Sequence, residues 1–175
     1  MQRNSSKNTA VKTKRKPSKK KVVVAVSGGF DPLHPGHVRM FAEAKKLGDK
    51  LVVILNNDNW LLKKKGFVFM NEGSRAEVIS ALSAVDRVII TSHEPNSEDT
   101  SVCAALAELR PDIFANGGDR LKNNIPEVIL ANKLGIKLIF GIGHGGKVES
   151  SSWLLQRYAD TLKKGLKKTS NPLKR

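Results

Sequence analysis

The chain has 175 residues, 39% hydrophobic and 5% aromatic, enough to bury the core of one ordinary domain and too apolar for a wholly disordered chain. The net charge of +15 sits at the ends: residues 1–21 carry nine basic side chains and no acidic one, residues 161–175 carry six and none, and the span between is balanced. That balance excludes a globular part that binds nucleic acid on charge alone, and no apolar run reaches the roughly 18 residues of a membrane span.

Residues 1–21 are Ser, Thr, Asn and Lys with almost nothing apolar, so they are expected as a disordered basic tail with no apolar segment of a secretory signal. The run Lys14-Arg15-Lys16-Pro17-Ser18-Lys19-Lys20-Lys21 reads as a nuclear address, a polyanion-binding arm or a solubilising tail. Five short apolar runs then follow as strand candidates: Val22–Val26, Leu51–Leu55, Val88–Ile90, Asp112–Ala115 and Ile136–Phe140. Runs apolar on both faces suit parallel strands covered by helices on both sides.

The helix candidates lie between and after them. Val38, Phe41, Ala42 and Ala44 begin one that stops at Leu47-Gly48, and Ser74-x-x-Glu77 has the pattern of a capping box opening a helix through Val78, Ile79, Leu82 and Val85. Val102, Leu106 and Leu109 mark a third, halted by Arg110-Pro111; Ile125–Leu134 is a fourth, and Trp153, Leu154, Leu155 and Tyr158 mark a fifth. Five strands alternating with five helices predict an α/β fold, a doubly wound, Rossmann-like five-stranded parallel sheet over residues 22–160, with 161–175 as a basic C-terminal tail. Cys103 is the only cysteine, so no intrachain disulfide forms and a reducing, cytoplasmic setting is expected.

Ligands of such a sheet bind beyond the carboxyl ends of the strands. There the first candidate strand runs into Gly28-Gly29-Phe30-Asp31-Pro32-Leu33-His34-Pro35-Gly36-His37. Pro35 suits a first helical turn, and His34 and His37, three apart, face the same point at the positive end of that helix. Gly28, Gly29 and Gly36 are expected to let a ligand approach the backbone. Two imidazoles and a helix N-terminus make a site for a phosphate whose charge grows during reaction. No Cys or third His stands at the spacing a zinc site needs, so no protein-held metal is expected. The later Gly141-Ile142-Gly143-His144-Gly145-Gly146 fits a dinucleotide fingerprint, but no strand follows to complete the βαβ unit.

The pattern Gly28-x-Phe-Asp-x-x-His34-x-Gly-His37 resembles the signature of the cytidylyltransferase-like nucleotidyltransferases. Ala44-Lys45-Lys46-Leu47-Gly48-Asp49, Arg75-Ala76-Glu77-Val78-Ile79 with Val85-Asp86, Asn116-Gly117-Gly118-Asp119 and Ser150-Ser151-Ser152 resemble further blocks of that family. The likeness spans about residues 21–160 and is nearest to heptose 1-phosphate adenylyltransferase domains, then to glycerol 3-phosphate cytidylyltransferases. It implies an enzyme that moves a nucleotidyl group from a nucleoside triphosphate, ATP favoured over CTP, to a small phosphorylated acceptor such as a sugar or polyol phosphate. Mg²⁺ would accompany the triphosphate, and a homodimer is a common state of relatives.

The resemblance also implies roles. His34, His37 and Lys45 would be catalytic. Gly28, Gly29, Phe30, Asp31, Gly36, Arg75, Gly118, Asp119, Ser150, Ser151 and Ser152 would bind the nucleotide, with Arg75 on triphosphate or acceptor. Asn56, Asp58 and Lys65 would line the acceptor pocket, the run Lys63-Lys64-Lys65 being either a lid over the acceptor phosphate or a solvated stretch. Departures from the family pattern fall around the acceptor and base: Asn116 before Gly-Gly-Asp, Arg120 after it, and the apolar Phe67-Val68-Phe69-Met70. A non-catalytic nucleotide-binding or polyanion-binding protein on the same fold is the alternative.

Overall fold

The computed structural model describes residues 20–117, 126–143 and 150–169. Five parallel strands, β1 (Val23–Gly28), β2 (Lys50–Leu55), β3 (Arg87–Ile90), β4 (Ile113–Gly117) and β5 (Lys137–Ile142), form one sheet in the order β3-β2-β1-β4-β5. The chain builds outward from β1 to β3, then crosses back to lay β4 and β5 on the other side. The direction of winding therefore reverses between β1 and β4, which opens a crevice at the carboxyl end of the sheet. All five expected strands are present, displaced by a residue or two at their ends.

Side chains of successive strand residues point to opposite faces, and both faces are apolar. Val24, Val26, Leu51, Val53 and Leu55 enter one core with Phe41 and Ile79, while Ala25, Ile54 and Phe114 enter the other with Leu106 and Ala131. Each large side chain so buried contributes about 1.5–3 kcal/mol. Burial on both faces is why the strands read as continuous apolar runs rather than as alternation.

Six helices cover the sheet among the described residues: α1 (Pro35–Lys45), α2 (Asp58–Lys65), α3 (Glu72–Ser80), α4 (Cys103–Leu109), α5 (Pro126–Leu134) and α6 (Ser151–Thr169). Three differ from expectation. α3 opens earlier than the Ser74-x-x-Glu77 box: Asn71 is its N-cap and accepts from the Ser74 amide at 2.8 Å, so Ser74 stands inside the first turn. Asn caps as well as Ser does. α2 was not expected. Asn57 caps it by accepting from the Trp60 amide at 3.0 Å, and Gly66, left-handed at φ 78°, ends it. α6 runs on through residues 161–169, part of the segment expected as a tail. No helix among the described residues is long and apolar enough to cross a membrane.

Candidate active site

The first strand-to-helix junction is shaped by what its glycines make room for. Phe30 takes a left-handed φ of 49° and folds its ring back, so that a methyl group on Gly28 would stand 2.8 Å from Phe30 Cζ. A methyl on Gly29 would meet Leu61 Cδ2 at 2.8 Å, and one on Gly36 would meet His34 Cε1 at 2.9 Å. The space expected for a ligand at these three positions is thus occupied by the protein's own side chains. Their role is to let Phe30, α2 and His34 close on the backbone.

His34 is the N-cap of α1. Its Nδ1 accepts from the Gly36 amide at 3.1 Å, while His37 Nδ1 accepts from the His34 amide at 3.3 Å. This is a capping box written with two imidazoles. A ring nitrogen that accepts carries no proton, so the proton of each neutral ring sits on Nε2. The rings stack with centroids 3.6 Å apart, and the edge-on ring of Phe30 lies 5.0 Å from that of His37. Burial, then His34, then Lys65 push the His37 pKa down from 6.5 to about 3. At neutral pH His37 is an uncharged Nε2–H donor beside the amide-rich end of α1.

A second helix end is tied to the same loop. Ser151 is buried and its hydroxyl donates to the Pro32 carbonyl at 2.9 Å, while Ser150 Oγ accepts from the Trp153 amide at 3.2 Å as the cap of α6. The positive ends of α1 and α6 therefore adjoin across Pro32–His34. Ser152 is exposed in the first turn of α6. Gly118 and Asp119 lie outside the described residues.

Four expected ligand contacts prove to be parts of the frame. Arg75 is 1% exposed. Its Nε donates to the Met70 carbonyl at 2.8 Å, its Nη1 to the carbonyls of Gly29 at 2.6 Å and Asn56 at 2.8 Å, and its Nη2 to the Asp58 carboxylate. That leaves no guanidinium surface for triphosphate or acceptor. Asp58 is thereby spent on Arg75. Asp31 is fully buried and accepts the amides of Phe69 and Met70, each at 2.8 Å, rather than facing a nucleotide. Asn56, also expected at the acceptor, is 2% exposed with its Oδ1 unpartnered at the end of β2.

Lys45 requires the largest correction. It ends α1, eight residues after His37 and so about 12 Å along the axis from that residue. Its Nζ donates to the Asp49 carbonyl at 2.7 Å and pairs with Asp86, whose carboxylate also takes the Leu51 amide at 2.7 Å. This ties the amino ends of β2 and β3 to α1, at the edge of the sheet remote from the site. The cation at the site is Lys65, which reaches the Asp31 carbonyl at 2.9 Å and whose charge is felt at His37. Burial lowers its own pKa, and Asp31 opposes that. A sequence signal for it exists: Lys65 is four residues after buried Leu61 and shares its helix face, whereas Lys63 and Lys64 point to solvent.

Among the described residues no three His, Cys, Asp or Glu groups come together as a cage, and the nearest carboxylate, Asp31, has both oxygens on backbone amides. These residues do not fit a protein-held Mg²⁺.

With this geometry established, comparison with known proteins gives the class. The cytidylyltransferase-like family model matches residues 25–157, and the chain belongs to that family, an enzyme family of nucleotidyltransferases. The FAD synthase of Thermoplasma volcanium is 36% identical over 131 residues, covering 74% of this chain and 88% of that protein. The bifunctional protein HldE of Hyphomonas neptunium is 44% identical over 101 residues, 57% of this chain and 20% of that protein. The FAD synthase of Thermococcus sibiricus is 43% identical over 103 residues, 58% of this chain and 66% of that one. The chain thus spans about a fifth of that HldE protein and about two thirds of this FAD synthase. Among solved structures, a lipopolysaccharide core biosynthesis protein from Thermoplasma volcanium superposes with a TM-score of 0.60 at 29% identity, covering 72% of this chain and all of that one.

Two outcomes follow from the frame and the imidazoles. Arg75→Met strands three buried carbonyls and Asp58, so urea unfolding should show a loss of about 3–5 kcal/mol. Arg75→Lys should not restore it, because an ammonium cannot fill the planar fork. The second outcome concerns pH. Between pH 6.5 and about 3 the unfolded chain takes up a proton at residue 37 that the folded chain refuses. That contribution to stability is complete above pH 6.5 and falls away as the pH drops toward 3. Thermal unfolding of His37→Gln should lose stability less steeply across this window than the wild type; identical slopes would mean that His37 titrates normally.

Proposed function

We propose that this chain transfers a nucleoside monophosphate from a nucleoside triphosphate to the phosphate of a small acceptor, releasing pyrophosphate. ATP is favoured over CTP because the motif arrangement most resembles that of adenylyltransferase domains. The observation that carries the reading is the pair of Nε2–H donors at the adjoining ends of α1 and α6. Such an array of fixed donors is matched to phosphate oxygens that gain charge as the reaction proceeds.

An oxygen of the acceptor phosphate attacks the α-phosphorus in line. The bond from that phosphorus to the bridging oxygen breaks, and pyrophosphate leaves with the electron pair. A phosphate monoester is largely dianionic at pH 7 and needs no general base. The side chains therefore position and neutralise rather than move protons. His34 and His37 donate from Nε2 to the α- and β-phosphates, Ser151 and Ser152 open the helix end that meets the outer phosphates, and Lys65 neutralises charge where the acceptor phosphate approaches. Mg²⁺ would accompany the triphosphate as its counter-ion, neutralising phosphate charge.

A pyrophosphate-release assay crossing four nucleoside triphosphates with sugar phosphates, polyol phosphates and FMN tests the reading. His37→Ala should lower kcat by about 10²–10³, the usual effect of losing one transition-state donor, with an unchanged far-UV circular dichroism spectrum. Lys45→Ala should leave kcat within about twofold, since that side chain lies one α1 length away. Near wild-type turnover in the first variant, or a collapse confined to the second, would remove the imidazole pair from the mechanism.

A further inference from the structure

We propose that the gap between β1 and β4 at the carboxyl edge of the sheet is a seat for adjacent hydroxyl groups of a substrate, read by the side chains of Asn116 and Asn56. This rests on the transfer reading above and deepens it.

β1 and β4 are neighbours, yet they are in register only at Val24↔Ile113 and Ala25↔Phe114. β1 and β2, by contrast, stay in register to Gly28↔Leu55, and the Asn56 amide extends that ladder by donating to the Gly28 carbonyl at 3.0 Å. Val26–Gly28 and Ala115–Gly117 therefore run on without pairing to one another. They flank the point where the winding reverses, which is where ligands of such sheets enter. On one face α1 closes the gap: a methyl group on Gly117 would stand 2.5 Å from Met40 Sδ. The other face is polar. Strand alternation sets Ser27 on the side of Ala25, Asn116 on the side of Phe114 and Asn56 on the side of Ile54. Three adjacent strands thus end in uncharged polar side chains on the face that α4 and α5 cover.

Two of these side chains are incomplete. Asn116 is 4% and Asn56 2% exposed, and neither Asn116 Nδ2 nor Asn56 Oδ1 has a hydrogen-bond partner. The Asn56 carbonyl is already taken by Arg75, so its backbone is fixed while its side-chain oxygen stays unpaired. Buried polar groups are nearly always paired, because an unpaired one loses its hydration with nothing in exchange. One of these atoms donates and the other accepts. The group that completes both must accept on one side and donate on the other, which a hydroxyl does and a phosphate oxygen does not. Charge agrees with this. Glu127, buried one turn before Ala131 of α5, brings a carboxylate to the same face, where its Oε1 takes the Val102 amide at 3.1 Å. A phosphate dianion is repelled there and a neutral diol is not. β2 and β4 flank β1, so the two amides stem from backbones roughly 10 Å apart, a separation that suits adjacent hydroxyls on one ring or chain. Two sources carry that chemistry, the ribose of the triphosphate and the polyol of the acceptor.

The probes are ATP and CTP with their 2′-deoxy and 3′-deoxy counterparts, and calorimetric titration of the full chain reads binding independently of turnover. If ribose is the occupant, a deoxy form should bind the wild type about tenfold more weakly than the ribonucleotide, the effect of one lost hydrogen bond in a buried site. In Asn116→Ala the two forms should bind alike, because the amide that distinguishes them is gone, and Asn56→Ala should narrow the difference. The wild-type comparison deletes the contact from the ligand side, so it stands even where a variant folds poorly. If the polyol is the occupant, ribo and deoxy forms bind alike. Asn116→Ala and Asn56→Ala then raise the KM for glycerol 3-phosphate or glucose 1-phosphate about tenfold in the pyrophosphate assay, with the nucleotide KM within twofold. The inference is overturned if deoxy forms bind as well as ribonucleotides and neither variant moves the acceptor KM. It is equally overturned if the variants weaken ribo and deoxy forms by the same factor and leave the acceptor KM unchanged, which would make both asparagines parts of the frame alone. A ribose preference that depends on Asn116, with no acceptor releasing pyrophosphate, keeps the seat and removes the transfer reading. Turnover without any hydroxyl preference does the reverse.

Discussion

One buried guanidinium sets the geometry on which the site depends. Arg75 joins the loop after β1, the end of β2, the start of α2 and the 66–71 loop through Gly29, Asn56, Asp58 and Met70. Taking a charge out of water costs several kcal/mol, and a single ion pair with a half-exposed carboxylate does not offset it. The three carbonyl acceptors do, because they satisfy donors that the carboxylate cannot reach. Asp31 repeats the device with opposite sign, its two oxygens receiving two amides of the same loop. Charges that look like ligand-binding groups in the sequence are used here to hold irregular backbone at fixed positions, which only polar side chains can do without a regular hydrogen-bond ladder.

That rigidity gives the imidazoles their chemistry. A histidine near a phosphate is commonly imagined as a cation, yet His37 is held neutral by burial, by the stacked His34 and by Lys65. Its Nδ1 is spent on the backbone amide of His34, so the free nitrogen must carry the proton. A neutral donor has a specific advantage. It binds the ground-state triphosphate less tightly than a full cation would, and its hydrogen bond strengthens as charge develops on the phosphate oxygens. Positive charge is supplied instead by Lys65 and by the partial charges of two helix ends.

How much of this was legible in the sequence divides along physical lines. The strands were, because burial on both faces leaves a continuous apolar run that needs no partner to be recognised. The α1 opening was, because Pro35 and the paired histidines encode a local backbone conformation. Lys45 and Arg75 misled for a shared reason: a motif gives residue type and spacing along the chain, but not which end of an 11-residue helix lies near the ligand, nor whether a guanidinium faces inward. α2 was missed because eight residues carry too few apolar positions for a period to show, with Leu61 alone buried. The identity of its cap, Asn57, was present in the sequence but carried no weight without that period.

The same division explains why the donor half of the reaction reads more clearly than the acceptor half. In the proposed reaction triphosphate is met at helix ends, and helix ends are specified by short local patterns. The loop between α2 and α3, by contrast, carries outward-facing residues that can change without disturbing the anchors beneath them. Asp31, Arg75 and Asn71 hold the 66–71 backbone whatever stands at positions 67 and 69. Relatives with different names, FAD synthases and bifunctional HldE proteins, match the same chain. A frame that fixes backbone and frees side chains allows one transfer chemistry to serve several acceptors.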